Sequence, residues 1–290
     1  MSLRELGELG VLKLMLPYLD GTSGDLVIGA GEDDAAAWRE PDGGYTVATC
    51  DTAVEGRHFE LGRQVPFEVG WRALALALGD LAAKGARPTY ALVSVSLTPI
   101  WDAERVVDLY RGFSGLARET GLKLVGGDTT AAEETSISIA ALGRAARLPI
   151  PRAAARPGWT VAVTGRLGAP EWSRPRPRFA EGERLAAAGL CCGDVSDGLL
   201  REMDKFLAAS GTGCRLELDS IPCAPGASAL QALASGEEVE LVCCGPAAAI
   251  EAAADILTPV GILLDASEVA VVDSAGNEVE VRERGYDHFT

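Results

Sequence analysis

Six short carboxylate-bearing segments, each set against a glycine, threonine or serine turn, constrain this chain more than any other feature. They are Gly31-Glu32-Asp33-Asp34, Cys50-Asp51-Thr52, Leu78-Gly79-Asp80, Gly126-Gly127-Asp128-Thr129-Thr130, Asp194-Val195-Ser196-Asp197-Gly198 and Gly236-Glu237-Glu238. Aspartates spread so widely can converge on hard cations only if the fold brings them together, and such a set suggests magnesium holding a polyphosphate. Asp80 is the sharpest case. The stretch Phe67 to Lys84 (FEVGWRALALALGDLAAK) is strongly helical and almost wholly apolar, with Gly85 as a stop signal. A carboxylate on that face loses its hydration unless a cation or a donor meets it.

At 290 residues the chain has length for two ordinary domains or one large one, and can bury a substantial core without disulfides. Hydrophobic residues at 48% and charged residues at 23% are average globular usage, indicating neither disorder nor a membrane class. Charge or glycine interrupts every apolar stretch well before the roughly 18 residues of a membrane span. Arg4, Glu5 and Glu8 break the place of a signal-peptide core, so a cytoplasmic protein is expected. The formal net charge of −16 argues against nucleic acid, whose phosphates need a basic face. Any bound anion then needs local metal ions to reverse the field. Seven cysteines include the pairs Cys191-Cys192 and Cys243-Cys244 but no CxxC of zinc spacing, which favours buried free thiols.

Leu3, Leu6, Leu9, Leu12 and Leu16 recur at helical spacing and predict a helix ending near Pro17. Strands are expected at 26–28 and 45–49, with Asp51 closing the second and a loop from Asp51 to Phe59. The stretch 90–97 alternates like a half-buried strand, 102–120 reads as a helix, 123–125 as a strand leading into the Gly-Gly-Asp turn, and 136–142 as another strand. The pattern breaks around Pro149, Pro151 and Pro157, which places a boundary between residues 1–148 and 149–290. Beyond it, strands are expected at 160–164 and 214–218 and helices at 179–188 and 199–209. Arg174 to Arg178 (RPRPR) cannot be regular, and alternation continues to Val281. Each half reads as α/β with mixed sheets.

The usual phosphate cradles are missing. There is no Gly-Lys dipeptide, hence no GxxxxGK[ST] loop, and neither histidine begins a His-Arg-Asp catalytic loop. Taken singly, each acidic segment has an ordinary explanation: Asp33-Asp34 as a solvated turn, Gly126-Gly127-Asp128 as a tight turn, Asp197 as a helix cap. Yet absent side chains at Gly126 and Gly127 let a ligand approach the backbone. Asp194, Ser196 and Asp197 precede a helix whose N-terminal amides favour phosphate. His58 lies in Glu55-Gly56-Arg57-His58-Phe59, and with two histidines in the chain a histidine metal cluster is excluded. Arg152 and Arg156 suit a phosphate clamp or an ordinary solvated surface.

In this order the segments resemble those of the thiamine-monophosphate kinases, in the superfamily that includes aminoimidazole ribonucleotide synthetase and selenophosphate synthetase. The matching stretches are GEDDAA, TCDTAVEGRHF, GWRALALALGDLAAKGARP, LKLVGGDTT, RPGWTVAVTG, DVSDGL, SGEEVEL and GYDHF, which span nearly the whole chain. The resemblance implies an α/β (α+β), two-domain aminoimidazole ribonucleotide synthetase-like fold of mixed sheets flanked by helices. Residues 1–148 would bind ATP and magnesium and pair their sheet with a second copy's into the barrel of a homodimer; residues 149–290 would complete the substrate site. The implied reaction is magnesium-dependent transfer of the ATP γ-phosphoryl group onto thiamine monophosphate, giving thiamine diphosphate.

By position, the resemblance implies magnesium at Asp34, Thr49, Cys50, Asp51, Asp80, Asp128, Asp194 and Asp197, with Asp80, Asp128, Asp194 and Asp197 as the catalytic set. It implies nucleotide contacts from Tyr110, Gly127, Asp128, Arg152 and Ser196, and thiamine-phosphate contacts from His58 and Glu237. Glu283 stands where some relatives carry an aromatic residue for stacking on thiamine, and Tyr286 or Phe289 is the substitute. Cys50 replaces a usual threonine, so a metal contact there comes from its backbone carbonyl. Ser235 to Leu241 (SGEEVEL) departs from the usual Gly-Gly-Glu-Asp-Tyr-Glu-Leu, and the segment from Leu167 to Phe179 is shorter than expected. The other readings are a different ATP-dependent enzyme of the superfamily and a non-catalytic nucleotide or metal-binding regulator.

Overall fold

Two sheets organise residues 2–168 and 174–289, the part of the chain that the computed structural model describes. The first half runs α1 (Leu3–Met15), β1 (Leu26–Ile28), β2 (Ala36–Arg39), β3 (Tyr45–Val54), α2 (Pro66–Ala83), β4 (Arg87–Leu97), α3 (Ala103–Thr120), β5 (Lys123–Gly126), β6 (Thr129–Ala131) and β7 (Ser136–Ala145). Its sheet has the order β1-β2-β3-β7-β4-β5, with β6 also on β4. β5 and β6 run parallel to β4 and the other pairs are antiparallel. Burial alternates strictly along β7, so Ile137, Ile139 and Ala141 face the core while Ser138 and Ala140 face the other side.

Helix α2 is the centre of the packing. From Val69 to Ala83 only Leu76 is not buried, as expected of a helix apolar on nearly every side. It contacts β3, β7 and α3 of its own half and α4 and β9 of the second. The crossing with α3 is close because of two glycines. A Cβ on Gly112 would lie 2.0 Å from the Phe67 carbonyl oxygen, and one on Gly70 would lie 2.2 Å from that of Leu109.

The second half runs β8 (Thr160–Thr164), α4 (Phe179–Ala187), β9 (Cys191–Asp194), α5 (Leu199–Ser210), β10 (Gly213–Glu217), α6 (Ala229–Ala234), β11 (Leu241–Gly245), α7 (Ala247–Glu251), β12 (Leu257–Leu264) and β13 (Val269–Val272). Its sheet has the order β13-β10-β12-β8-β11-β9, antiparallel except for β10 and β13. Met203 and Phe206 of α5 join the core on one face, and Leu185 and Leu190 join that on the other. Residues 174–178 are irregular, as expected, and tie across the first half. Arg174 pairs with Glu68 at 3.1 Å, Arg176 with Glu119 at 3.1 Å, and Trp71 Nε1 donates to the Pro175 carbonyl at 3.0 Å. The shortened segment 167–179 falls partly on residues 169–173, outside the described residues.

Several expectations are corrected. β3 continues to Val54, its ladder with β7 unbroken to the pair Val54 and Ser136, so Asp51 lies inside a strand rather than at its end. Gly126-Gly127-Asp128 does not reverse the chain, because β5 and β6 both run parallel to β4. Gly127 instead passes against that strand at φ 151°, where a Cβ would lie 1.7 Å from the Val93 carbonyl oxygen. The helix expected to end near Pro17 forms as α1, but no residue of it is buried and Gly7 breaks its backbone at φ 63°. β2, β6, α6 and α7 are too short to leave a periodic signal. Beyond Val272 the described residues form no further strand or helix, although alternation was expected to Val281. All seven cysteines are free thiols, five of them buried. Among the described residues no helix is long and apolar enough to cross a membrane.

Gly112→Ala should destabilise the fold by about 2–3 kcal/mol, because backbone rather than a flexible side chain meets the new methyl group. Gly115→Ala, whose nearest neighbour is the Trp71 ring at 3.3 Å, should cost far less. Urea unfolding of the two variants tests the contrast.

Candidate metal and phosphate site

Three carboxylates from three distant elements converge. One oxygen each of Asp34, Asp80 and Asp194 lie within 4.8 Å of one another. Asp34 leaves the loop before β2, Asp80 projects from the apolar α2, and Asp194 ends β9. Asp80 accepts a hydrogen bond from Thr49 Oγ1 at 2.5 Å and carries a raised pKa, through burial first and then Asp194, Asp51 and Asp34. Burial, then Glu202 and Asp34, push Asp194 up to about 7; burial, then Asp34, push Asp51 up to about 6. Asp194 Oδ1 is buried and has no hydrogen-bond partner among the described residues. A Cβ on Gly79 would lie 2.5 Å from Asp194 Oδ2, so the glycine before Asp80 is what lets the two carboxyls meet.

Beside the acids stand three cations, Arg152, which the sequence singled out, and Lys84 and Lys205, which it did not. Arg152 is 2% exposed; its guanidinium contacts Asp34 at 2.5 Å and Glu202 at 2.7 Å, and its backbone N–H donates to Asp33 at 2.8 Å. Lys84 pairs with Asp33 and donates to the Cys192 carbonyl at 2.6 Å. Lys205 lies 2.8 Å from both Asp197 and Glu202 and 4.0 Å from Asp34. Burial alone would raise the Asp34 pKa, but Arg152, Lys205 and Lys84 outweigh it and hold that carboxyl well below the usual range. Lys84, Glu202 and Lys205 looked in sequence like ordinary charges at helix positions. The one available signal was Glu202 at helical spacing from Lys205, which equally fits a surface pair.

A second group lies around the chain's C-terminus. His58 sits 6.0 Å from the Tyr286 ring and 5.1 Å from that of His288, and its Nδ1 accepts the Val54 N–H at 3.0 Å. Its pKa is lowered, through burial first and then His288. Glu237 accepts from Arg72 Nε at 2.8 Å. Glu237 and the buried Val239 hold φ of 61° and 53°, uncommon for non-glycine residues and for a β-branched one a real strain. The Tyr286 N–H donates to the Asp197 carbonyl at 2.9 Å, which ties this group to the segment 194–198.

The remaining candidates are placed differently. The Thr49 side chain faces Asp80, whereas the Cys50 side chain is exposed, consistent with strand alternation. β2 pairs with β3 only as far as Ala48, so among the described residues that edge of β3 has no strand partner at Thr49 to Asp51. Asp128 is exposed next to Gly127, and its carboxylate accepts the Thr129 N–H at 2.9 Å. Tyr110, on α3, packs edge-on to Phe113, and among the described residues no hydrogen bond joins it to the acids. Ser196 Oγ lies 3.2 Å from Glu202 Oε1. Arg156 is exposed. A surface pocket of about 740 Å³ lies elsewhere, among Arg87, Arg144 and Arg147.

Two mixed sheets meeting over an acidic cleft define the class. Residues 32–145 match the family model described as AIR synthase related protein, N-terminal domain. The thiamine-monophosphate kinase of Methanopyrus kandleri is 32% identical over 84% of this chain and 85% of its own length. That of Archaeoglobus fulgidus is 32% identical over 91% and 93%. The structure of AaThiL complexed with AMPPCP and TMP superposes with a TM-score of 0.85 at 25% identity, covering 100% of this chain and 99% of that one. With such identity over nearly its full length, the chain belongs to the thiamine-monophosphate kinase family.

The pKa pattern sets a stability slope for the metal-free protein. The unfolded chain releases the Asp51 and Asp194 protons near pH 3.8, while the folded chain keeps them to about 6 and about 7. The folded state therefore binds more protons in that window, and stability should fall as pH rises from about 4 to about 7. Asp80→Asn removes one of the mutually repelling charges. At pH 8 with chelator it should stabilise the protein by about 1–2 kcal/mol, seen as a higher Tm; a lower Tm than wild type would contradict this account.

Proposed function

We propose that this chain transfers the γ-phosphoryl group of ATP directly onto the phosphate of thiamine monophosphate, giving thiamine diphosphate, with magnesium ions in the acidic cleft. The observation that carries the reading is the convergence of Asp34, Asp80 and Asp194 in a member of this kinase family. Their donor set fits magnesium: all ligands are hard carboxylate oxygens, and the buried Asp194 Oδ1 has no hydrogen-bond partner among the described residues. Asp34, Asp80 and Asp194 would hold the ions, with Thr49, Asp51 and the Cys50 backbone carbonyl beside them, and Asp128 and Asp197 at the margins. Bound magnesium supplies neutralisation of the charge on the phosphate oxygens.

The chain's own groups do the positioning. Gly127 presents bare backbone to the nucleotide, with Tyr110, Asp128 and Ser196 around it. Arg152, fixed by Asp34 and Glu202, keeps a permanent positive charge at the phosphate end. At the acceptor end, His58 is held neutral, and because Nδ1 accepts from Val54 its proton sits on Nε2, ready to donate to the acceptor phosphate. Glu237 and Tyr286 flank the thiamine. The acceptor oxygen is already an anion at neutral pH, so no strong general base is required.

Residues 1–148 serve as the ATP, magnesium and dimerisation domain, and residues 149–290 complete the substrate site. The face of the first sheet that carries Cys50, Tyr90 and Leu92 is exposed, the last two at 47% and 44%, and suits pairing with the same face of a second copy as a homodimer. The protein acts in the cytoplasm, without nucleic acid or membrane partners.

Purified protein incubated with ATP, thiamine monophosphate and magnesium should form thiamine diphosphate, and chelator should abolish it. Asp80→Asn should lower kcat by about 10²–10³-fold. Absence of product with magnesium present, set against a panel of other phosphorylated acceptors, would sink the assignment.

A further inference from the structure

Lys205 stands on α5 one turn beyond Glu202, and oxygens from three parts of the chain ring its ammonium. Nζ lies 2.8 Å from Asp197 Oδ2, 2.8 Å from Glu202 Oε1, 3.4 Å from Ser196 Oγ and 4.0 Å from Asp34 Oδ2. The first three use all three N–H bonds of the ammonium. The Lys205 side chain is 14% exposed and that of Glu202 is 0% exposed, so this is an enclosed group and not a solvated surface pair. Three carboxylates and a hydroxyl around one point are the donor set of a hard-cation site. Here the chain fills it from within.

Asp34 belongs to two cation positions at once. One of its oxygens meets those of Asp80 and Asp194, and the same carboxylate borders Lys205. Arg152 ties the two positions together, since its guanidinium reaches both Asp34 and Glu202. The Lys205 stem is also directed by its helix: Met203, on the opposite side of α5, is wholly buried in the core, while Glu202, one turn back on the face of Lys205, is among the acids.

We propose that the Lys205 ammonium is a built-in cation of the phosphate site, occupying a position that Asp34, Asp197 and Glu202 would otherwise give to a divalent ion. This rests on the reading of the cleft as a divalent-cation site. Part of the charge neutralisation is then permanent and independent of free magnesium, and it is placed by packing where the segment 194–198 enters α5. A purely structural clamp on that segment would place the same atoms together but leave the number of divalent ions unchanged when the charge is removed.

Equilibrium dialysis with Mn²⁺, which suits the same oxygen ligands, separates the two. Lys205→Met keeps most of the stem and removes the charge; Lys205→Arg keeps a charge. Lys205→Met should bind one more Mn²⁺ per chain than wild type, and Lys205→Arg the same number as wild type. Equal numbers for wild type and Lys205→Met would overturn the inference while leaving the divalent-cation reading intact, whereas a wild type that binds no Mn²⁺ would overturn both. A gain in Lys205→Arg would also overturn it. If Lys205→Met does not fold without metal, Lys205→Gln carries the test through the Mn²⁺-dependent rise in Tm. A rise larger than that of wild type supports the inference; an equal or smaller rise overturns it.

Discussion

Burial of Asp33 is the constraint on which the rest depends. Its side chain is 1% exposed, in a loop that would otherwise be ordinary surface, and a carboxylate there is tolerable only with full pairing. Lys84, just past the end of α2, and Arg152, directly after Pro151, supply it. Arg152 then carries the connection to Glu202 on α5, and Lys84 carries it to the backbone of β9. The loop, the central helix, the segment after Pro151 and the second-half helix thus meet at one set of charges. Removing a member would leave its buried partners with fewer counter-charges, so the set ties the two sheets together.

Next to this balanced set lies an unbalanced one. Asp34, Asp80 and Asp194 face one another with Thr49 as the donor to Asp80, and the raised pKa values of Asp80, Asp194 and Asp51 express their burial first and the neighbouring carboxylates second. Balanced charges fix the backbone, and unbalanced ones are then held at a fixed geometry that a cation can relieve. Glycines make the approach possible. Gly79 admits the Asp194 carboxyl next to Asp80, and Gly193, where a Cβ would lie 2.5 Å from the Arg152 guanidinium, admits Arg152. The strained backbone at Glu237 and Val239 lies in the same region, since a Cβ on Gly79 would also be 3.1 Å from Val239.

Asp80 was legible because a carboxylate in an apolar helix breaks its local pattern, and pattern breaks are visible in sequence. The order of the acidic segments carried the family for the same reason. Lys205, Glu202 and Lys84 were not legible: charges near the ends of helices are normal, and only their burial makes them unusual. Asp51 was misplaced within its strand because residues 50–54 alternate weakly, and the ladder with Ser136 to Ala145 extends that strand across the whole of β7. The Gly126-Gly127-Asp128 step read as a turn because glycine pairs usually are turns; pairing of both flanking strands with β4 keeps the chain moving forward.

By itself the sequence determined two α/β halves, the central apolar helix, the acidic segments and the family to which their order belongs. These follow from periodicity and local residue chemistry, which act over a few positions of the chain. Only the tertiary structure decided which acids converge, which are paired with Arg152, Lys84 and Lys205, and that Cys50 is exposed. Those outcomes depend on electrostatics over a few ångströms between residues far apart in the chain, and a distance of that kind exists only once the two sheets have packed against α2.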